Sequence, residues 1–121
     1  MVRLRCMIRS VDDIEAYRRS KQLYPQVVAV AAGFPSHGRH LRVQLCRAAN
    51  GIHADVAEGF GRSVAEFKMY LTRALGSCNE MKSHLEDAVN VGWIPPAIGR
   101  RLIAEYTIIS KQLYRLRECW R

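Results

Sequence analysis

From Leu41 to Ala88, apolar residues return at steps of four and three, with one interruption. Leu41, Leu45, Ala48 and Ile52 form one run, which continues through Asp55 to Gly59. Phe67, Leu71, Ala74, Cys78, Met81, Leu85 and Ala88 form the next. That spacing keeps one helix face apolar and predicts two amphipathic helices folded back on each other. In the break, Gly59 and Gly61 suit the left-handed backbone that closes a helix. Ser63 and Glu66, three apart, have the spacing of a capping box. The second helix is thus expected from about Ser36 or His37 to Glu58, and the third from about Val64 to Val91, where Gly92 stops it.

Two further helices flank this pair. The first starts near Ser10, with Asp12 and Asp13 in its first turn, where negative charge suits a helix N-terminus. Its main stripe is Ala16, Ser20, Leu23, Val27 and Val30. A second stripe, Ile14, Tyr17, Tyr24, Val28 and Ala31, lies on another face. A helix in a monomeric bundle needs one apolar face, so the second stripe predicts contact with another subunit, with Tyr17, Tyr24, Val28 and Ala31 as interface candidates. Pro25 removes a backbone donor, and a kink or break is expected there. Gly33 and Phe34-Pro35 end the element. After Ile94-Pro95-Pro96, the fourth helix starts near Ala97 and turns Ile98, Leu102, Ile109, Leu113, Leu116 and Trp120 inward. No segment shows the alternation of a strand. Four helices with short links predict an all-α, antiparallel up-down-up-down four-helix bundle over residues 10–121, preceded by a flexible segment, residues 1–9.

A chain of 121 residues suffices for one core. The longest wholly apolar run, Val27 to Ala32, is far short of the roughly 20 residues of a membrane span, and arginines interrupt the N-terminal apolar residues. No membrane association and a cytoplasmic location are therefore expected. Cys6, Cys46, Cys78 and Cys119 are widely spread, the pattern of reduced thiols rather than a disulfide frame or zinc site. Charge adds more. With 19 Lys and Arg against 11 Asp and Glu, the net charge is +8, which favours polyanionic partners. The candidate contacts to RNA or DNA are Arg39, Arg42, Lys68, Arg73, Lys82, Arg101, Lys111 and Arg115. The fourth helix, where only Glu105 and Glu118 oppose the cations, is the clearest patch. No aromatic residues interleave with these cations, so binding should follow the backbone and weaken with salt.

Catalytic chemistry finds no constellation, and the chain reads as neither an enzyme nor a metal or cofactor binder. A di-iron bundle requires Glu-x-x-His pairs, and there is none; Glu80 and His84 read as a surface pair. His53 and Asp55, two apart, point to different helix faces. Gly59-Phe60-Gly61-Arg62-Ser63 completes no phosphate-binding motif. Asp55 is the odd residue: a carboxylate on an apolar stripe, expected as a polar core contact that fixes register, with Arg62, Arg73 or backbone N–H groups as partners.

The run from Gln44 to Arg62, followed by Ser63, Glu66-Phe67 and Gly76-Ser77, resembles the four-helix bundle proteins encoded in 23S ribosomal RNA intervening sequences. That family includes the accessory variability determinant of diversity-generating retroelements. The matching positions are Arg47-Ala48-Ala49, Ile52, Val56-Ala57-Glu58-Gly59, Arg62, Ser63, Glu66-Phe67 and Gly76-Ser77, with Phe34-Pro35 and Gly92-Trp93 near the turns. Asp55 stands where the family usually has Asn, and His53 where it has a small residue or Pro. The resemblance implies a homopentamer and, for the retroelement members, binding to nucleic acid and a reverse transcriptase. Two functions follow as expectations: a non-enzymatic oligomer that binds nucleic-acid backbone, or an oligomeric scaffold for a protein partner such as a reverse transcriptase.

Overall fold

The computed structural model describes residues 7–121 and holds four α-helices: α1 (Glu15–Ala32), α2 (Arg39–Gly59), α3 (Val64–Asn90) and α4 (Pro96–Cys119). Among the described residues there is no strand. Most of the segment expected to be flexible, residues 1–6, lies outside the described residues.

The helix ends follow local chemistry. Ser10 opens a single 3-10 turn, Val11–Asp13, rather than α1 itself. The Asp13 carboxylate accepts the backbone N–H groups of Arg9 and Ser10 at 2.8 and 3.0 Å, which holds that turn apart from the helix. Pro25 does not break α1. It lies on the exposed side, where the carbonyl that loses its partner meets water. Another 3-10 turn, Ser36–Gly38, leads into α2. Gly59 is still helical, so only Gly61 takes a left-handed φ, +87°, at that break. At the start of α3, the Ser63 hydroxyl donates to Glu66 Oε1 at 2.8 Å and accepts the Glu66 backbone N–H at 3.2 Å. Pro96 takes the first turn of α4, where a missing N–H costs nothing.

The predicted stripes meet in one core. Val27, Leu45, Ile52, Phe67, Leu71, Met81, Leu85, Leu102, Tyr106, Ile109 and Leu113 are fully buried. Consecutive helices pack against each other, as the up-down arrangement requires; α1 and α4 close the bundle with the lightest contact of the four neighbouring pairs. Aromatic groups close both ends. Trp93 sits against Phe34 and His37 at one end, each 5.5 Å between ring centroids; Trp120 sits 4.9 Å from Phe67, beside Phe60, at the other.

The second stripe of α1 belongs mostly to this core. Ile14, Tyr17 and Ala31 are buried within their own bundle, so Tyr17 and Ala31 are not outer-face residues. A bundle helix occupies a corner with a neighbour on each side, which requires a wider apolar arc than one stripe. Tyr24 is half-buried, and Val28, 40% exposed, remains on the surface.

Candidate nucleic-acid interface

The most distinctive sequence segment turns out to be structural. Gly59 lies directly beneath Tyr70 of α3: a Cβ at position 59 would sit 2.5 Å from the Tyr70 Cβ, so only glycine lets the helices approach. The Tyr70 hydroxyl donates to Glu58 Oε1 at 3.3 Å, and its ring lies 5.3 and 5.2 Å from the guanidinium carbons of Arg62 and Arg73. Arg62 also donates to the Glu58 carbonyl at 2.9 Å and pairs with Glu66 at 3.6 Å. Glu58, Gly59, Arg62 and Glu66 thus hold the α2–α3 corner together.

Asp55 joins the same corner. Its partner is Arg73, 3.7 Å away, on the neighbouring helix. The Asp55 side chain is 14% exposed and that of Arg73 is 58% exposed, so a shielded carboxylate faces a wet guanidinium. Burial raises the Asp55 carboxyl above its ordinary range, and Arg73 only partly offsets this. This pairing takes Arg73 out of the set of free cations.

Sequence reasoning missed a second polar contact. His53, almost fully buried, places Nδ1 2.9 Å from the Ser20 hydroxyl, itself fully buried, and Nε2 3.4 Å from Asn50 Nδ2. The Tyr24 ring meets the imidazole edge-on at 5.5 Å, and Tyr17 at 6.5 Å. Burial, helped by Lys21, lowers the His53 pKa and keeps the ring neutral. A polar residue at each of two facing positions, Ser20 on the α1 stripe and His53 beside Ile52, was the available signal. Ser20 has no access to solvent, which makes this a locking contact rather than a nucleophile and base. The Cys78 thiol is likewise buried, and its pKa is pushed up to about 11, far from the thiolate a nucleophile needs. Among the described residues no group of three or more His, Cys, Asp or Glu could hold a metal ion.

The remaining cations spread over several sides. Arg42 lines a groove between α1 and α2 together with Arg47, and Arg39 stands at the α2 start. Lys68 and Lys82 are half-buried on α3, two sevens of the helix repeat apart on its α4 side. Arg101, Lys111 and Arg115 follow the α4 edge facing α1. Arg101 reaches Gln26 of α1 at 3.2 Å, while Lys111 and Arg115, with Arg18 of α1, line a groove of about 590 Å³. Nearby acids are already engaged: Asp13 with backbone N–H groups, Glu15 and Glu105 with Arg19 at 3.2 and 3.6 Å. Of the eight cations singled out by sequence, the α1–α4 edge therefore gathers three; Asp13 and Glu15 line the same groove, but among the described residues neither Lys111 nor Arg115 forms an ion pair. None of the helices is long and apolar enough to cross a membrane.

Helix order, packing and surface charge together define an up-down four-helix bundle with a basic edge. The chain belongs to the 23S rRNA-intervening sequence protein family, whose sequence pattern it matches over residues 12–115. Its backbone is similar to a crystal structure from Bacteroides thetaiotaomicron, described as a protein with unknown function from the S23 ribosomal protein family. The TM-score is 0.78 at 21% identity, over 85% of this chain and 95% of that one. No curated protein matches the chain.

Proposed function

We propose that the protein is a non-enzymatic homo-oligomer, a ring of five bundles in the cytoplasm, that binds the RNA or DNA backbone through the α1–α4 edge. The observation that carries this reading is the row of cations there: Lys111 and Arg115, which no ion pair engages among the described residues, beside Arg18, with Arg101 further along. The groove's two acids, Asp13 and Glu15, are held by backbone N–H groups and by Arg19. Cations not engaged in ion pairs can neutralise phosphates and release their counterions, which drives sequence-independent binding. Ring number five follows the family resemblance; the exposed Val28 beside Tyr24 supports a further covered surface.

A second reading, an adaptor for a protein partner such as a reverse transcriptase, is favoured by the apolar floor of the same groove, which contains Ile14, Ala16, Ile108 and Leu116. Titration of labelled structured RNA at low and at physiological salt separates the two. Backbone binding predicts micromolar or tighter affinity at low salt that falls steeply as salt rises. No binding at low salt rejects it. Light scattering on a sizing column tests the ring, which a mass near 13.8 kDa would refute.

A further inference from the structure

We infer that the ring is closed by a head-to-tail contact: the α1–α2 groove of one subunit receives the outer ridge of α3 from the next. This inference rests on the oligomeric reading above and assigns its two surfaces. The groove, about 600 Å³, has Tyr24, Val28, Val43 and Cys46 as its apolar part and carries Arg42 and Arg47, with no acid in its lining. Val28 and Val43 are 40% and 41% exposed. Neither arginine has an ion-pair partner among the described residues.

The matching surface is on the same chain. Glu80 and Asp87 are seven apart, on one exposed line of α3 that passes through Gly76 and Met69, and Val91 beyond them is 55% exposed. Neither acid has a partner among the described residues. One surface is thus apolar with two free cations; the other is a mostly polar ridge with two free carboxylates, with the exposed Met69 and Val91 toward its ends and Arg73, engaged by Asp55, on the same face.

Their heights agree as well. The start of α2 and the end of α3 lie at the same end of the bundle, where Trp93 packs against Phe34 and His37. At 1.5 Å per residue, Arg42 lies about 4.5 Å and Arg47 about 12 Å along α2 from that end. Asp87 lies about 4.5 Å and Glu80 about 15 Å along α3 from it. In the inferred ring the rotation axis runs parallel to the helices; such an axis preserves height, and it would bring Asp87 to Arg42 and Glu80 to Arg47 of the neighbour. Two different surfaces meeting in this way generate a closed ring when the rotation closes. The valines supply the burial; the charge pairs fix register and exclude the wrong face. Arg42 then becomes a subunit contact, and the nucleic-acid surface contracts to the α1–α4 edge.

Charge reversal tests the pairing, with mass read by light scattering and folding by circular dichroism. The variant Arg42→Glu/Arg47→Glu and the variant Glu80→Arg/Asp87→Arg should each fall from the wild-type mass to 13.8 kDa with helicity intact. Combining all four substitutions should restore the ring. Val28→Lys, which leaves every charge pair in place, should also release monomers and serves if a double variant does not fold. Double variants that keep the wild-type mass, or a fourfold variant that stays monomeric, would overturn the pairing while leaving the oligomer intact. A monomeric wild type would instead overturn the oligomeric reading on which it rests.

Discussion

The α2–α3 seam and the α1–α4 seam are built from the same kind of helix but spend their polar residues differently. At α2–α3, nearly every charged or polar group has a partner: Asp55 with Arg73, Glu58 with Tyr70, Arg62 with Glu66, and Glu66 with the Ser63 cap. At α1–α4, the least intimate of the neighbouring seams, Lys111 and Arg115 face a groove whose two acids, Asp13 and Glu15, are engaged by other groups. The first seam holds the fold and the second is free to hold something else. The most distinctive sequence segment of this chain is thus spent on joining α2 to α3.

This contrast can be broken at several points. Gly59→Ala should have the largest effect on stability, because its Cβ would fall 2.5 Å from the base of the Tyr70 side chain, which no rotamer change can move away. A loss of about 2–3 kcal/mol, or roughly 10 °C in Tm at fixed protein concentration, is expected in thermal melts. Ser20→Ala comes next. It leaves the buried His53 nitrogen without its partner and should cost about 1–3 kcal/mol in urea unfolding.

His53 also predicts the pH response. Its pKa is lowered in the folded protein, so the unfolded chain binds the proton more readily. The stability gained from keeping His53 neutral is present above the ordinary value of 6.5 and declines as pH falls through and below it. Melts at pH 7.5 and 5.5 should show that loss in the wild type and a smaller one in His53→Gln. Asp55 has the opposite sign: its raised pKa makes the ionised form a cost at neutral pH that fades as pH falls into the carboxylate range. Asp55→Asn should therefore leave stability at pH 7 unchanged or raise it, by less than about 1 kcal/mol, and its advantage should vanish in acid. The smallest stability effect belongs to the open seam: Lys111→Ala/Arg115→Ala should alter unfolding by no more than about 0.5 kcal/mol.

Much of this frame was legible in the chain. The four-three stripes, the Ser63–Glu66 cap and the turn at Gly92 place three of the helices to within a few residues, because each depends on local chemistry. Asp55 was also visible as a carboxylate out of place, with Arg73 among its named partners. What failed depended on neighbours. The second α1 stripe suggested another subunit because a sequence does not show that a corner helix has two partners; Tyr17 and Ala31 went into the subunit core instead. Ser20 and His53 are 33 positions apart, so their pairing required the packed bundle. The cations were countable but not sortable: whether Arg73 is engaged and Arg115 free depends on what lies across the seam.

The most direct test compares RNA affinity across the two seams, using Arg73→Ala for the closed one and Lys111→Ala/Arg115→Ala for the open one. With labelled structured RNA titrated at low and at physiological salt, the open-seam variant should lose at least about tenfold in affinity and about two from the salt slope, with its Tm unchanged. Arg73→Ala should bind like the wild type. Undiminished binding by Lys111→Ala/Arg115→Ala, or an equal loss in Arg73→Ala, would contradict the assignment of function to the α1–α4 edge.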